Sequence, residues 1–130
     1  IPASLVGSEM CIRDRFSGET MAITNGNVGT GQTVDVLTVP AGKSYAITSV
    51  LITNTGTEDP TGGQDSRFYL YAVTGSYTAN NSMIVNNAIL PGAETFTLDT
   101  EKLVLAENDK LKVSVSGTNS ASVVVSYLEV

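Results

Sequence analysis

The chain has 130 residues, a formal net charge of −6, and 42% hydrophobic against 15% charged residues. A chain of this length reads as one domain and can bury a core without a metal or disulfide staple. It contains no histidine, which excludes Ser-His-Asp and Cys-His catalysis and histidine-ligated metal sites; its seven basic residues are scattered, which argues against a nucleic-acid partner, and no apolar run reaches the roughly 18 residues of a membrane span.

Residues 5–15 read LVGSEMCIRDR. This run resembles, residue for residue, the translation of a transposase-type sequencing adaptor. The resemblance implies an artefact of sequence assembly in an environmental, metagenomic read set, to be set aside before the fold is considered. A signal peptide is a poor alternative, because Glu9, Arg13, Asp14 and Arg15 interrupt the segment and leave no continuous apolar stretch. The lone cysteine, Cys11, lies inside the run, so no thiol chemistry is expected of the domain. Residues 1–20 are therefore expected to form an unstructured arm. A single domain is expected over 21–130, starting at Met21.

From there the pattern is that of strands. The chain holds sixteen Thr and fifteen Val, β-branched types that suit a pleated surface. Strand-like runs occupy 33–39, 44–55, 67–73, 82–90, 94–98, 110–116 and 121–130, in which apolar residues often alternate with polar ones at period two, with a short apolar piece at 103–105. Turn chemistry separates them. Asn25-Gly26, Gly29-Thr30-Gly31, Pro60-Thr61-Gly62-Gly63 and Pro91-Gly92 suit tight turns and positive φ. Asn108-Asp109 reads as the turn of a hairpin between Leu105 and Leu111. No helical pattern is present. About eight short strands at this spacing predict an all-β fold, an antiparallel β-sandwich of jelly-roll-like kind.

Candidate sites are few. The loop 57–66 carries Glu58, Asp59 and Asp65 with Gly62 and Gly63. Clustered carboxylates attract calcium, but the spacing does not match an EF-hand loop, and a solvated acidic loop is the better reading. Asp99 and Glu101 would share a strand face as a carboxylate pair would, yet surface charge near a strand end is the better reading. Asn80-Asn81-Ser82 has the form of a glycosylation sequon and reads as a loop. No catalytic group, cofactor or metal is expected. Tyr69, Tyr71 and Tyr77 are the possible interaction face. In a strand Tyr69 and Tyr71 share one side while Phe68 and Leu70 share the other. One side is core, and the other is an aromatic surface for a neighbouring subunit or a glycan. The last strand is expected to pair within its own sheet, with pairing across subunits as the alternative.

Five motifs occur together: M-A-I-T-N-G at 21–26, T-V-P-A-G-K at 38–43, I-T-S-V-L-I-T-N-T-G at 47–56, L-V-L-A-E-N-D-K-L-K-V at 103–113 and S-Y-L-E-V at 126–130. This combination resembles small β-sandwich virion structural proteins of marine tailed phages. The resemblance implies a non-enzymatic role in capsid decoration or in a tail or fibre, at the surface of the extracellular particle. It implies major capsid or tail proteins as partners, and it assigns no catalytic residue. A homo-oligomer is expected, with a trimer favoured. The alternative is a carbohydrate-binding or adhesive module, which would need Tyr69 and Tyr71 to line an exposed groove.

Overall fold

The computed structural model describes residues 20–74 and 83–130, except for the side chains of 20, 21 and 100–102. The expectation of an arm over 1–20 lies outside these residues, apart from residue 20. Eight strands run through the described chain: β1 (Thr20–Val28), β2 (Gln32–Thr38), β3 (Tyr45–Asn54), β4 (Ser66–Val73), β5 (Met83–Leu90), β6 (Thr95–Leu105), β7 (Lys110–Gly117) and β8 (Ala121–Glu129). There is no helix among the described residues.

The strands form two four-stranded sheets, ordered β1-β8-β3-β6 and β2-β7-β4-β5. Every pairing is antiparallel. Only β4 and β5 are both consecutive in the chain and paired; the other connections cross from one sheet to the other. This is the jelly-roll arrangement of an eight-stranded sandwich.

The alternation of side chains explains why the two sheets pack. Val50, Ile52, Val123 and Val125 project from the first sheet and are fully buried. Phe68, Leu70, Leu111, Val113 and Val115 meet them from the second. Phe68 and Phe96 lie across the interior with ring centroids 5.0 Å apart. Burying such side chains contributes about 1.5–3 kcal/mol each relative to exposure.

Three local expectations are corrected. Asn25-Gly26 is not a turn. Both residues lie in β1, where Asn25 pairs with Val124 and Gly26 with Val123; nine unbroken partners outweigh a local turn preference. Residues 94–98 and 103–105 are not separate strands. They belong to β6, whose register against β3 breaks between Ile47 and Ser49, so 100–102 are accommodated as a bulge. The segment 103–113 is not a hairpin. Its turn exists, with Asn108 at φ 68° and Ala106 N donating to Asp109 Oδ2 at 2.8 Å. Yet β6 and β7 lie in different sheets. Turn residues set a local reversal, while the apolar faces decide which sheet each strand joins.

The connections gather at the two ends of the sandwich. At one end β2–β3 meets β6–β7: Val39 N donates to Asp109 O, Asn108 N to Val39 O, and Gly42 N to Glu107 Oε1 at 2.7 Å. At the other, β3–β4, β5–β6 and β7–β8 meet: Asn54 N donates to Glu94 O and Thr118 N to Asp65 O. Gly92 is buried there, and a Cβ on it would lie 2.1 Å from Thr57 O and 2.7 Å from Gln64 Cβ. Gly92→Ala is therefore expected to destabilise by about 1–3 kcal/mol through overpacking. Gly26→Ala, which meets nothing within 4 Å, is expected to be neutral or slightly stabilising. Urea unfolding of the two variants gives the comparison.

Candidate functional site

The two outer faces of the sandwich differ in chemistry, and the register shows why. On the second sheet Asp35 pairs with Lys112, and Lys112 with Tyr71 on its other side. The next row sets Thr33 beside Ser114 and Ser114 beside Tyr69. Lys112 hydrogen-bonds Asp35 Oδ1, and Lys110 Nζ lies 3.4 Å from Asp35 Oδ2. The Lys112 hydrogen bond and the two cations hold the Asp35 carboxyl below its usual value of 3.8, against an opposing effect of burial. A carboxylate with a depressed folded-state value adds stability above its unfolded value and loses it as pH falls through the folded one. Asp35→Asn is thus expected to be less stable than the parent at pH 6, with the gap closing below about pH 4; thermal unfolding across that range measures it.

Tyr69 and Tyr71 stand on this face, with rings 6.1 Å apart and parallel within 3°. Phe68 and Leu70 point the other way, into the core. Tyr71 is nevertheless only 6% exposed, and Val73, on the same outward row, 4%. Tyr69 is half-buried. The rings therefore do not form an open stacking platform in this conformation. Tyr77 lies outside the described residues. Near the sheet edge, Arg67 Nη1 donates to Asn87 O at 3.1 Å, where β5 bulges and Asn87 takes φ 53°.

The outer face of the first sheet is different. Its register rows carry Val104, Ala46 and Leu128; then Asp99, Ser49, Ser126 and Ile23; then Thr97, Leu51, Val124 and Asn25; and last Thr95, Thr53, Ser122 and Asn27. Among these outward residues Asp99 alone is charged. Ile23 is 67% and Val104 57% exposed. This face went unnoticed in the sequence because β8 reads as a mostly apolar run, and period two does not say which apolar residues are outside. The available signal was the absence of charge from residues 20–28 and 121–128.

The remaining sequence candidates do not converge. In the acidic loop Asp59 Oδ1 accepts from Thr61 N at 2.9 Å and Thr61 Oγ1 at 2.6 Å, which closes a local turn. Those hydrogen bonds hold the Asp59 carboxyl below its usual range. Asp99 is exposed on the first sheet, and the Glu101 side chain lies outside the described residues. Among the described residues no group of three potential ligands is placed to hold a metal. The terminal strand β8 has β1 on one side and β3 on the other. Both of its edges are thus occupied within the chain.

Neither a family model nor a curated protein sequence matches the chain. Among solved structures it is similar to one from the infectious bursal disease virus Gx strain, at 12% identity and TM-score 0.49, covering 100% of this chain and 38% of that one. It is also similar to a chain of the cyanophage Pam1 capsid asymmetric unit, at 14% identity and TM-score 0.46, over 99% and 98% of the two chains. A third, the crystal structure of PirA, has 15% identity and TM-score 0.43 over 90% and 99%. Likeness at this level says nothing about what this chain binds.

Proposed function

We propose that the protein is a non-enzymatic structural component of a tailed-phage particle, decorating or stabilising the capsid through contacts with other virion proteins and with its own copies. The observation that carries this reading is the outer face of the β1-β8-β3-β6 sheet. It is broad and hydroxyl-rich, with Ile23 and Val104 exposed and Asp99 its one charge among the described residues. Depletion of charge around exposed apolar residues is the signature of the core of a protein–protein interface. A jelly roll suits the task, since its loops close both ends and its interior is filled by side chains. The motifs at 38–43, 47–56 and 103–113 support the same role through their resemblance to marine phage virion proteins.

A glycan-binding reading has less support, because Tyr71 offers no exposed ring and, of the two candidate tyrosines among the described residues, Tyr69 alone retains accessible surface. Immunogold labelling separates the readings. An antibody to the chain is applied to the virus-sized fraction of a sample whose DNA carries the coding sequence. Gold over particle heads is the expected result. Gold at tails moves the protein to a fibre, and gold confined to cells overturns the virion role in favour of an adhesive module.

A further inference from the structure

The four edge strands are not equally protected. An exposed strand edge presents unpaired N–H and C=O groups, and proteins blunt such edges with bulges, charges or proline. Edge β2 breaks register between Asp35 and Leu37 and carries Asp35. Edge β5 breaks register twice, and Arg67 reaches across to the Asn87 carbonyl. Edge β6 breaks register opposite Thr48 and carries Asp99. Edge β1 has none of these devices. Its nine residues, TMAITNGNV, pair with β8 without a break and include no charge and no proline. No strand among the described residues lies on its outer side.

We infer that β1 is a pairing edge for a second copy of this chain, joined antiparallel about a two-fold axis near Thr24. Charge favours this occupant. The chain carries −6, so copies repel wherever their acidic surfaces meet. Residues 20–28 and the adjoining outward side of β8, Ser122, Val124, Ser126 and Leu128, hold no charge. A like-charged copy can therefore approach along this tract. Self-pairing centred on Thr24 sets Thr24 against Thr24 and Ile23 against Asn25, with no like charges opposed. The contact line is about 30 Å long at the usual strand rise. Pairing would fuse two four-stranded sheets into one of eight and bring their uncharged outer faces side by side. The contact is isologous and closes as a dimer, which differs from the trimer expected on resemblance. It does not depend on the virion reading, since it concerns the chain alone.

The test uses the full chain in light scattering and sedimentation from about 1 μM to about 1 mM, a range that captures weak self-association. A concentration-dependent dimer is expected. Ile23→Lys with Asn25→Lys changes two exposed positions and opposes ammonium groups across the axis. It should weaken the dimer at least about tenfold, with partial recovery in about 0.5 M salt. The matching variant, Ile23→Glu with Asn25→Glu, should also be weakened, and mixing the two should restore association. Ile89→Lys, on the β5 edge, should leave it unchanged. A chain that stays monomeric throughout overturns the proposal. So does a lysine variant that associates like the parent. A monomer whose β1 amides all resist hydrogen exchange would show the edge covered within the chain, and would overturn it too.

Discussion

Phe68→Ala is expected to lower the unfolding free energy by about 3–5 kcal/mol, the usual cost of emptying a large aromatic site in a core. Phe68 is 1% exposed and is among the largest fully buried side chains. It sits on β4, central in its sheet between β7 and β5, and its ring meets Phe96 from the opposite sheet. Its loss therefore removes contact between the two layers as well as within one. Domains of this kind hold only about 5–15 kcal/mol in total, so the variant approaches the limit of folding. Its melting temperature should fall by about 10 °C or more. Tyr69→Ala, one residue along, supplies the contrast. That side chain faces outward and stacks on Tyr71, so its removal should cost about 1 kcal/mol. Guanidinium unfolding of both variants resolves the difference. Equal losses would mean that the inward and outward sides of β4 are wrongly assigned.

Asn54→Ala is expected to cost about 2–4 kcal/mol although it removes no apolar core. Asn54 is 1% exposed at the end of β3. Its Nδ2 donates to Gln64 O at 2.8 Å and to Leu90 O at 2.9 Å, and its Oδ1 accepts from Gly56 N at 2.8 Å. One side chain thus holds the β3–β4 loop and the end of β5. Asn119 adds to the cluster, donating through Nδ2 to Gln64 O and Gln64 Oε1, while Ser66 Oγ donates to Asn119 O. Truncation takes this partner from Leu90 O and Gly56 N and leaves Gln64 O with Asn119 alone, in a place largely closed to water. Replacing a buried hydrogen-bonding group costs more than the bond itself, because the orphaned groups keep their desolvation penalty. Asn54→Asp tests the donor role separately. A carboxylate cannot donate to the Gln64 and Leu90 carbonyls, so its acid form is favoured in the fold and its value rises. Its deficit against the parent should therefore shrink as pH falls toward 4; the gap for Asp35→Asn closes on acidification as well, but there because the parent loses stability and here because the variant's own carboxylate is neutralised. Hydrogen exchange should report the change first at 55–65 and 91–94.

The strands were legible because their signal is local. Residues 110–116 alternate Leu111, Val113 and Val115 with Lys112, Ser114 and Ser116, and the structure buries the first set and sets the second outside. Phe68 and Leu70 were separable from Tyr69 and Tyr71 by the same parity. The candidate interaction surface was less legible. Tyr71 and Val73 are buried on the outward side of their sheet, so exposure does not follow from parity alone. The most charge-poor face is assembled from β1, β8, β3 and β6, which are distant in sequence, and no single segment displays it.

Residue types and their spacing by themselves determined that this protein is an all-β sandwich of about eight strands with apolar residues turned inward. A pleated strand alternates its side chains whatever it pairs with, so composition and period two suffice for that much. Tertiary structure alone decided that β6 and β7 separate into different sheets, that Asn25-Gly26 extends rather than turns, and that β8 sits at the centre instead of an edge. Those outcomes depend on which distant strands share hydrogen bonds and which faces are buried together. A turn motif contributes one or two local hydrogen bonds, whereas a nine-residue partner such as β8 engages the whole length of β1, and the larger set of interactions prevails.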